Sequence, residues 1–203
     1  MKIGIFGGTF DPIHYAHLLL AETARETLGL DRVVFVPAGI PPHKQKRPIT
    51  PGPLRAAMIR AAIAGCPEFE LSTFEIDSDE VSYTVNTLRH FHQTRPGSGL
   101  TLIVGTDTLN DIPKWYRPAE VCGMAEIAAA LRPGDHEPDY SGFGRLVSPD
   151  RLARMRKLLV SMPLLDISST EIRRRAAAGR SLRFLTPDGV IRLIGEHRLY
   201  AHS

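Results

Sequence analysis

The sequence predicts an α/β fold built on a parallel sheet, and three observations carry that prediction. Short apolar bursts at 2–6, 33–36, 100–104 and 126–131 are separated by helix-length amphipathic segments. A strand, a helix and a strand in that order imply a right-handed parallel crossover, which puts the strand C-termini on one edge of the sheet. The first strand also runs straight into a Gly-Gly turn with a helix beyond it, and ligands of such sheets bind at that edge.

Lys2–Phe6 is the first strand. Asp11-Pro12 marks a turn, and the spacing of Leu18, Leu19, Ala21, Ala24 and Leu28 gives a helix that stops at Gly29. Val33–Val36 is a short buried strand ended by Pro37, and Leu54–Ala64 reads as an amphipathic helix. Alternation from Phe69 to Ile76 predicts a strand, and Ser82-Tyr83-Thr84 opens a helix to about Thr94. Leu100–Val104 and Glu126–Leu131 are further strands. Leu152–Val160 reads as helix, Leu164–Ile167 as a short strand leading into a helix, and Pro187–His197 as the closing helix.

With 203 residues and no linker-like stretch, residues 1–203 are expected to form a single domain. The net charge of +3 suits an anionic partner, but the excess is small enough to serve a polyphosphate substrate rather than a nucleic acid. Basic residues concentrate between Arg145 and Arg183, which leaves a nucleotide- or RNA-binding module as the rival class; no aromatic-rich binding strand accompanies them. Cys66 and Cys122 carry no paired spacing, so neither a disulfide framework nor a metal knuckle is indicated and a reduced cytoplasm fits. No apolar run reaches membrane-span length, and Met1-Lys2 leads directly into a strand, so no signal peptide and no membrane partner are expected. The sequence permits a homo-oligomer without fixing one.

Ile3 to His17, IGIFGGTFDPIHYAH, carries the first chemistry. Gly7 and Gly8 let backbone N–H groups approach an anion, and the helix N-terminus beyond them adds donors and a positive dipole end. His14 and His17, three apart, face one side of a helical first turn and could grip one ligand together. Such a pair could equally be surface residues or half a zinc site, yet no further Cys or His pair lies nearby at ligand spacing. The glycines at 4, 7 and 8 do not form the dinucleotide fingerprint.

Other candidates lie at the ends of later strands. Lys44, in the proline-rich loop 38–53, could fold over bound phosphates or be one of several solvated cations beside Lys46 and Arg47. Ser82 and Thr84 could simply cap a helix. Asp107, just past a parallel strand, could accept hydroxyl hydrogen bonds from a ribose or cap the next helical turn. Trp115, the only tryptophan, follows a proline in a polar loop where it could stack on a flat heterocycle. Arg132 leaves a strand end as a candidate phosphate or base contact. In Ser168-Ser169-Thr170-Glu171-Ile172-Arg173 either serine can cap the helix, Arg173 stands one turn in on the exposed face, and a capping box alone would explain Glu171.

Together GGTFDPIHYAH, PPHK, SYTVNTL, GTDTLNDIPKWY, RPG and DISSTEIRRR resemble the bacterial nicotinate-nucleotide adenylyltransferase family, in order from Ile3 to about Tyr200. The H-x-x-H turn with a distant ISSTEIR is specific to the wider nucleotidyltransferase superfamily, and the SYT and PKWY pieces point to its pyridine-nucleotide branch. The resemblance implies a Rossmann-like, doubly wound parallel sheet with helices on both faces, and adenylyl transfer from ATP, carrying Mg2+, to nicotinate mononucleotide. It implies that His14, His17 and Arg173 are catalytic and that Gly7, Gly8, Thr9, Phe10, Lys44, Arg132, Ser169 and Thr170 bind ATP or the departing pyrophosphate. Thr84, Asp107, Trp115 and Tyr116 would bind the mononucleotide. Ala16 stands where the family usually has glycine, setting a methyl group near the bound nucleotide. Pantetheine-phosphate adenylyltransferase would share both phosphate motifs, but Tyr83-Thr84 and Trp115 argue against it.

No serine, cysteine or histidine is set up with a base and an orienting acid as a covalent nucleophile. The mononucleotide phosphate is already ionised, so direct in-line attack on the α-phosphorus of ATP is expected, with the histidines as donors.

Overall fold

Hydrophobic bursts in the chain become one parallel sheet in the computed structural model, which describes residues 1–40, 49–131, 137–163 and 165–201. Among the described residues its six strands are β1 (Lys2–Gly8), β2 (Arg32–Pro37), β3 (Phe69–Leu71), β4 (Gly99–Gly105), β5 (Glu126–Leu131) and β6 (Leu159–Ser161). They lie in the order β3-β2-β1-β4-β5-β6, every pairing parallel. The chain winds outward from β1 to one side and then returns to β4 to build the other. The β1/β4 boundary is therefore the topological switch point, where a crevice opens at the strand C-termini.

Both faces of the sheet are covered, as predicted for a doubly wound fold. Phe6, Val33, Phe35, Ile103, Ala128 and Ala130 point into one core, with α1 (Tyr15–Leu28), α2 (Gly52–Ala62), α7 (Ser169–Ala177) and α8 (Asp188–Glu196) packed on it. Their neighbours Ile5, Val34, Val36, Leu102, Val104, Ile127 and Ala129 point to the other, under α3 (Thr84–Thr94) and α5 (Pro118–Met124). A period of two with both positions apolar is what a strand buried on two faces requires. The short α4 (Thr106–Asp111) follows β4, and α6 (Pro149–Met155) precedes β6. α1 stops where predicted, because Gly29 takes the left-handed conformation at φ 59°.

Three predicted elements are corrected. The strand expected over Phe69–Ile76 ends at Leu71: Ser72 donates to the Phe35 carbonyl, and the chain then turns, Asp77 N–H bonding to the Thr73 carbonyl at 2.9 Å. The alternation that suggested a strand here sends Glu75 inward instead. The sixth strand falls at Leu159–Ser161, not at 164–167, and the helix expected to reach Val160 ends at Met155. Pairing of Leu159, Val160 and Ser161 with Ala129, Ala130 and Leu131 outweighs the helical apolar spacing. Residues 165–168 form no strand.

Candidate active site

β1 delivers the chain to the crevice and the GGTFD turn reverses it. Gly7 faces open space, so a side chain there would project toward the crevice. Phe10 has a left-handed backbone at φ 48°, which for a non-glycine residue costs on the order of 1–3 kcal/mol. Its ring is buried edge-on against Phe6, Phe35 and His17 at centroid distances of 5.4, 5.7 and 5.1 Å, so packing fixes the strained residue. His14 then caps α1 in an extended conformation.

The histidine rings stack 3.7 Å apart with an interplanar angle of 20°, so both do face one side. The His14 backbone N–H donates to His17 Nδ1 at 3.3 Å. With Nδ1 occupied as an acceptor, the neutral His17 ring carries its proton on Nε2, which makes Nε2–H a donor. Ala16, between them, is buried at 6% exposure, so protein covers most of its methyl group.

The second motif closes onto the first. Ser168 caps α7 by accepting from the Glu171 N–H at 3.2 Å. Ser169 is thereby released to donate its hydroxyl to the Pro12 carbonyl at 2.8 Å. Arg173 donates through Nη1 to the Asp11 carbonyl at 2.7 Å and through Nη2 to Thr170 Oγ1 at 3.0 Å. It is buried at 8% exposure, which corrects its predicted place on the exposed face. Glu171 spends its carboxylate on Arg174 at 2.7 and 2.8 Å.

A buried polar scaffold supports this junction. The Asp11 carboxylate accepts from the Tyr200 hydroxyl at 2.7 Å and from the Thr50 N–H at 3.4 Å. Burial first, and the Asp11 carboxylate with it, push the Tyr200 phenol well above its ordinary range, so it stays a donor. Thr186 donates to the Ile13 carbonyl at 2.7 Å, and the Tyr15 N–H to the Leu185 carbonyl at 3.1 Å. Arg55, 2% exposed, donates to the carbonyls of Thr50, Thr9 and Ala38 at 2.8, 2.8 and 2.7 Å.

Beside the turn lies a cavity of about 270 Å³ reaching Gly7, Gly8, Thr9, Ala38, Thr84 and Trp115. Thr84 is the first residue of α3, and Trp115 is half-buried with its loop packed on the second core. Tyr116 packs against Tyr83 in a tilted pair with ring centroids 4.6 Å apart, tying the Trp115 loop to the start of α3. Glu75 also lines the cavity and accepts from the Thr87 hydroxyl at 2.5 Å. Burial pushes its carboxyl pKa up, against the opposing pull of hydrogen bonds from Thr87, Ser82 and the Gly39 N–H and of the Arg55 charge. Gly39 must be glycine here, because a Cβ would stand 2.0 Å from the Glu75 carbonyl oxygen.

The structure thus gathers Gly7, Gly8, Thr9, Phe10, His14, His17, Ser169, Thr170 and Arg173 on one side of the crevice and Thr84 and Trp115 on the other. Asp107 sits exposed in the first turn of α4, at the same sheet edge, and Tyr116 lies beside the cavity. Lys44 and Arg132 lie outside the described residues. Asp11, Arg55, Glu75 and Tyr200 escaped the sequence reading. Arg55 left one signal: it stands four residues before the buried Ile59, a charge on the apolar face of α2.

Comparison with known proteins bears on what this crevice belongs to. The chain matches the cytidylyltransferase-like family over residues 5–175. A protein of Thermomicrobium roseum, named a probable nicotinate-nucleotide adenylyltransferase, is 42% identical over 98% of this chain and 91% of its own length. A protein of the same name from Roseiflexus sp. is 44% identical, over 98% of this chain and 97% of its own. The chain belongs to the nicotinate-nucleotide adenylyltransferase family. The family fold is also seen in a Plasmodium falciparum nicotinic acid mononucleotide adenylyltransferase solved with NaAD, which superposes with a TM-score of 0.73 at 18% identity, covering 100% of this chain and 98% of that one. At that identity the likeness concerns the fold, and it matches the predicted Rossmann-like class.

Proposed function

We infer that this chain transfers the adenylyl group of ATP to nicotinate mononucleotide, giving deamido-NAD and pyrophosphate by direct in-line displacement, a step of NAD biosynthesis. The observation that carries the reading is the joining of the H-x-x-H turn to α7, through Ser169 and Arg173, beside a cavity walled by Thr84 and Trp115. One wall suits a polyphosphate and the other a flat, anionic heterocycle.

In this reading an ionised phosphate oxygen of the mononucleotide attacks the α-phosphorus of ATP. The new P–O bond forms as the bond to the β-phosphate oxygen breaks, and pyrophosphate leaves with that electron pair. No proton moves, so the site works by holding two anions in line and stabilising charge on the bridging and leaving oxygens. His14 and His17 contact the triphosphate, with His17 Nε2–H as a donor. Arg173 and the start of α7, with Ser169 and Thr170, receive the pyrophosphate, and the family resemblance adds Lys44 and Arg132 as further phosphate contacts. Gly7, Gly8, Thr9 and Phe10 line the phosphate path with backbone N–H groups. Trp115 stacks on the pyridine ring, Thr84 and Tyr116 meet its carboxylate, and Asp107 accepts from a ribose hydroxyl.

A divalent metal accompanies nucleotidyl transfer, and here Mg2+ enters with the ATP, held by the triphosphate oxygens. Among the described residues no three His, Cys, Asp or Glu side chains are grouped to hold an ion. Among them, too, no helix is long and apolar enough to cross a membrane. The reading takes residues 1–203 as one catalytic domain working in the cytoplasm, and a homo-oligomer is compatible with it.

The test is pyrophosphate release from MgATP with nicotinate mononucleotide, nicotinamide mononucleotide or phosphopantetheine offered in parallel. Turnover highest with nicotinate mononucleotide is expected. Preference for phosphopantetheine would reassign the acceptor, and no release with any of the three would reject the reading.

A further inference from the structure

A charged side chain sealed inside a helix–sheet interface is costly, and an apolar residue of similar volume usually serves stability as well or better. Arg55 is such a side chain, 2% exposed on the apolar face of α2. Burial pushes its pKa down while Asp11 and Glu75 oppose the shift, and a guanidinium remains a cation throughout. What it holds explains its presence. Its three hydrogen bonds, all 2.7–2.8 Å, go to the carbonyls of Thr9, Ala38 and Thr50, in the segments after β1, after β2 and before α2.

Those segments are the frame of the crevice. Thr9 belongs to the phosphate turn, and Thr9 and Ala38 both line the cavity. The Thr50 N–H reaches the Asp11 carboxylate, while the Asp11 carbonyl receives Arg173. The C=O and N–H of a trans peptide point in opposite directions. Anchoring the Thr9 carbonyl on Arg55 therefore turns the Phe10 N–H away from the guanidinium, and holds Phe10 in its left-handed conformation at φ 48°.

We propose that Arg55 is a positioning residue for adenylyl transfer, one planar cation whose fork fixes the spacing and orientation of the ATP-phosphate turn against the acceptor cavity. The proposal rests on the function inferred above. Arg55 touches neither substrate and acts through the backbone it holds. Its loss leaves each half-site intact and misaligns the two. In-line attack is steep in that alignment, so the turnover number suffers more than either Michaelis constant.

The experiment compares full-length wild type, Arg55→Met and Arg55→Lys, with kcat and both KM values from pyrophosphate release and the folded fraction from thermal melting. Rates are taken below the melting midpoint and normalised to folded protein. Arg55→Met is expected to lower kcat by about 10- to 100-fold while each KM moves less than about threefold, the scale of a misplacement near 1 Å. Arg55→Lys keeps the charge but cannot span three diverging carbonyls, so its kcat falls by about tenfold rather than recovering. Normalised kcat within twofold of wild type in both variants overturns the proposal, as does a loss that merely follows the folded fraction. Wild type that releases no pyrophosphate with nicotinate mononucleotide defeats the functional reading instead, whatever the variants do.

Discussion

The Arg173 guanidinium donates to the Asp11 main-chain carbonyl at 2.7 Å, a contact spanning 162 positions of sequence. It joins two distant parts of the sequence into one surface: the turn after β1 is held in place by α7. Ser169 on the Pro12 carbonyl and Tyr200 on the Asp11 carboxylate repeat the same connection. In the proposed reaction, a phosphate held at the turn would therefore meet α7 as well.

Removing that guanidinium tests both roles at once. Arg173→Ala should lower kcat by about 10²- to 10³-fold, the scale for a donor aimed at developing charge. It should also destabilise the fold by about 1–3 kcal/mol, because the Asp11 carbonyl loses a charged donor. Arg173→Lys should recover part of the stability but little of the rate, since one ammonium cannot reproduce contacts to both Asp11 and Thr170. Stopped assays and thermal melts on the three proteins separate the effects; a stability loss with near-normal kcat would leave Arg173 a purely structural tie.

His17 makes a sharper prediction, because the two ring nitrogens have different tasks. Nδ1 accepts from the His14 N–H at 3.3 Å, so in the neutral ring Nε2 carries the proton and is the donor. A glutamine amide reaches the Nε2 position, whereas an asparagine amide reaches only that of Nδ1. His17→Gln should therefore keep more activity than His17→Asn, and His17→Ala should fall by about 10²- to 10³-fold in kcat. Asn outperforming Gln would show that the ring matters for the turn and not for the phosphate.

How much of this was readable in the chain depends on the range over which each residue acts. Gly7, Gly8, His14 and His17 lie close together in sequence, so their spacing alone suggested a candidate site. Strands β1, β2, β4 and β5 announced themselves because both faces are buried. The end of β3 did not, because Glu75 alternates like a strand residue yet turns inward to meet Thr87 and Gly39. Strand β6 was misplaced because Leu152, Met155 and Leu159 satisfy a helical spacing, and only the neighbouring β5 decides. Arg55, Asp11 and Tyr200 owe their roles to partners tens of residues away or more, which no local pattern encodes. Ser168 and Ser169 were equivalent as caps until Pro12 arrived to take one of them.

The proposed function gives Trp115 to one substrate and not the other. It lines the cavity with Thr84 and is half-buried, on the side opposite the histidines. Trp115→Ala should raise KM for nicotinate mononucleotide by about tenfold, the worth of one aromatic stacking contact, and leave KM for ATP within about twofold. Tyr116 packs against Tyr83, not against the Trp115 ring, so Trp115→Phe should restore most of the loss without disturbing that contact. Equal losses for ATP and mononucleotide would mark Trp115 as core.

Glu75 gives the fold a pH dependence whose sign can be worked out. Burial raises its folded-state pKa above the ordinary value of 4.5, despite three hydrogen bonds and the Arg55 charge acting the other way. Between 4.5 and that raised value the folded chain keeps the proton while the unfolded chain has begun to release it. Folded protein then binds more protons than unfolded, and stability declines as pH rises through the window. Glu75→Gln is nearly isosteric, can still accept at its carbonyl oxygen, and has no proton to lose. Its melting temperature relative to wild type should therefore climb as pH rises from about 4.5 and level off above the raised pKa. Melts in parallel at pH 4 to 8 check this, and an offset that stays constant across the range would mean that Glu75 titrates alike in both states.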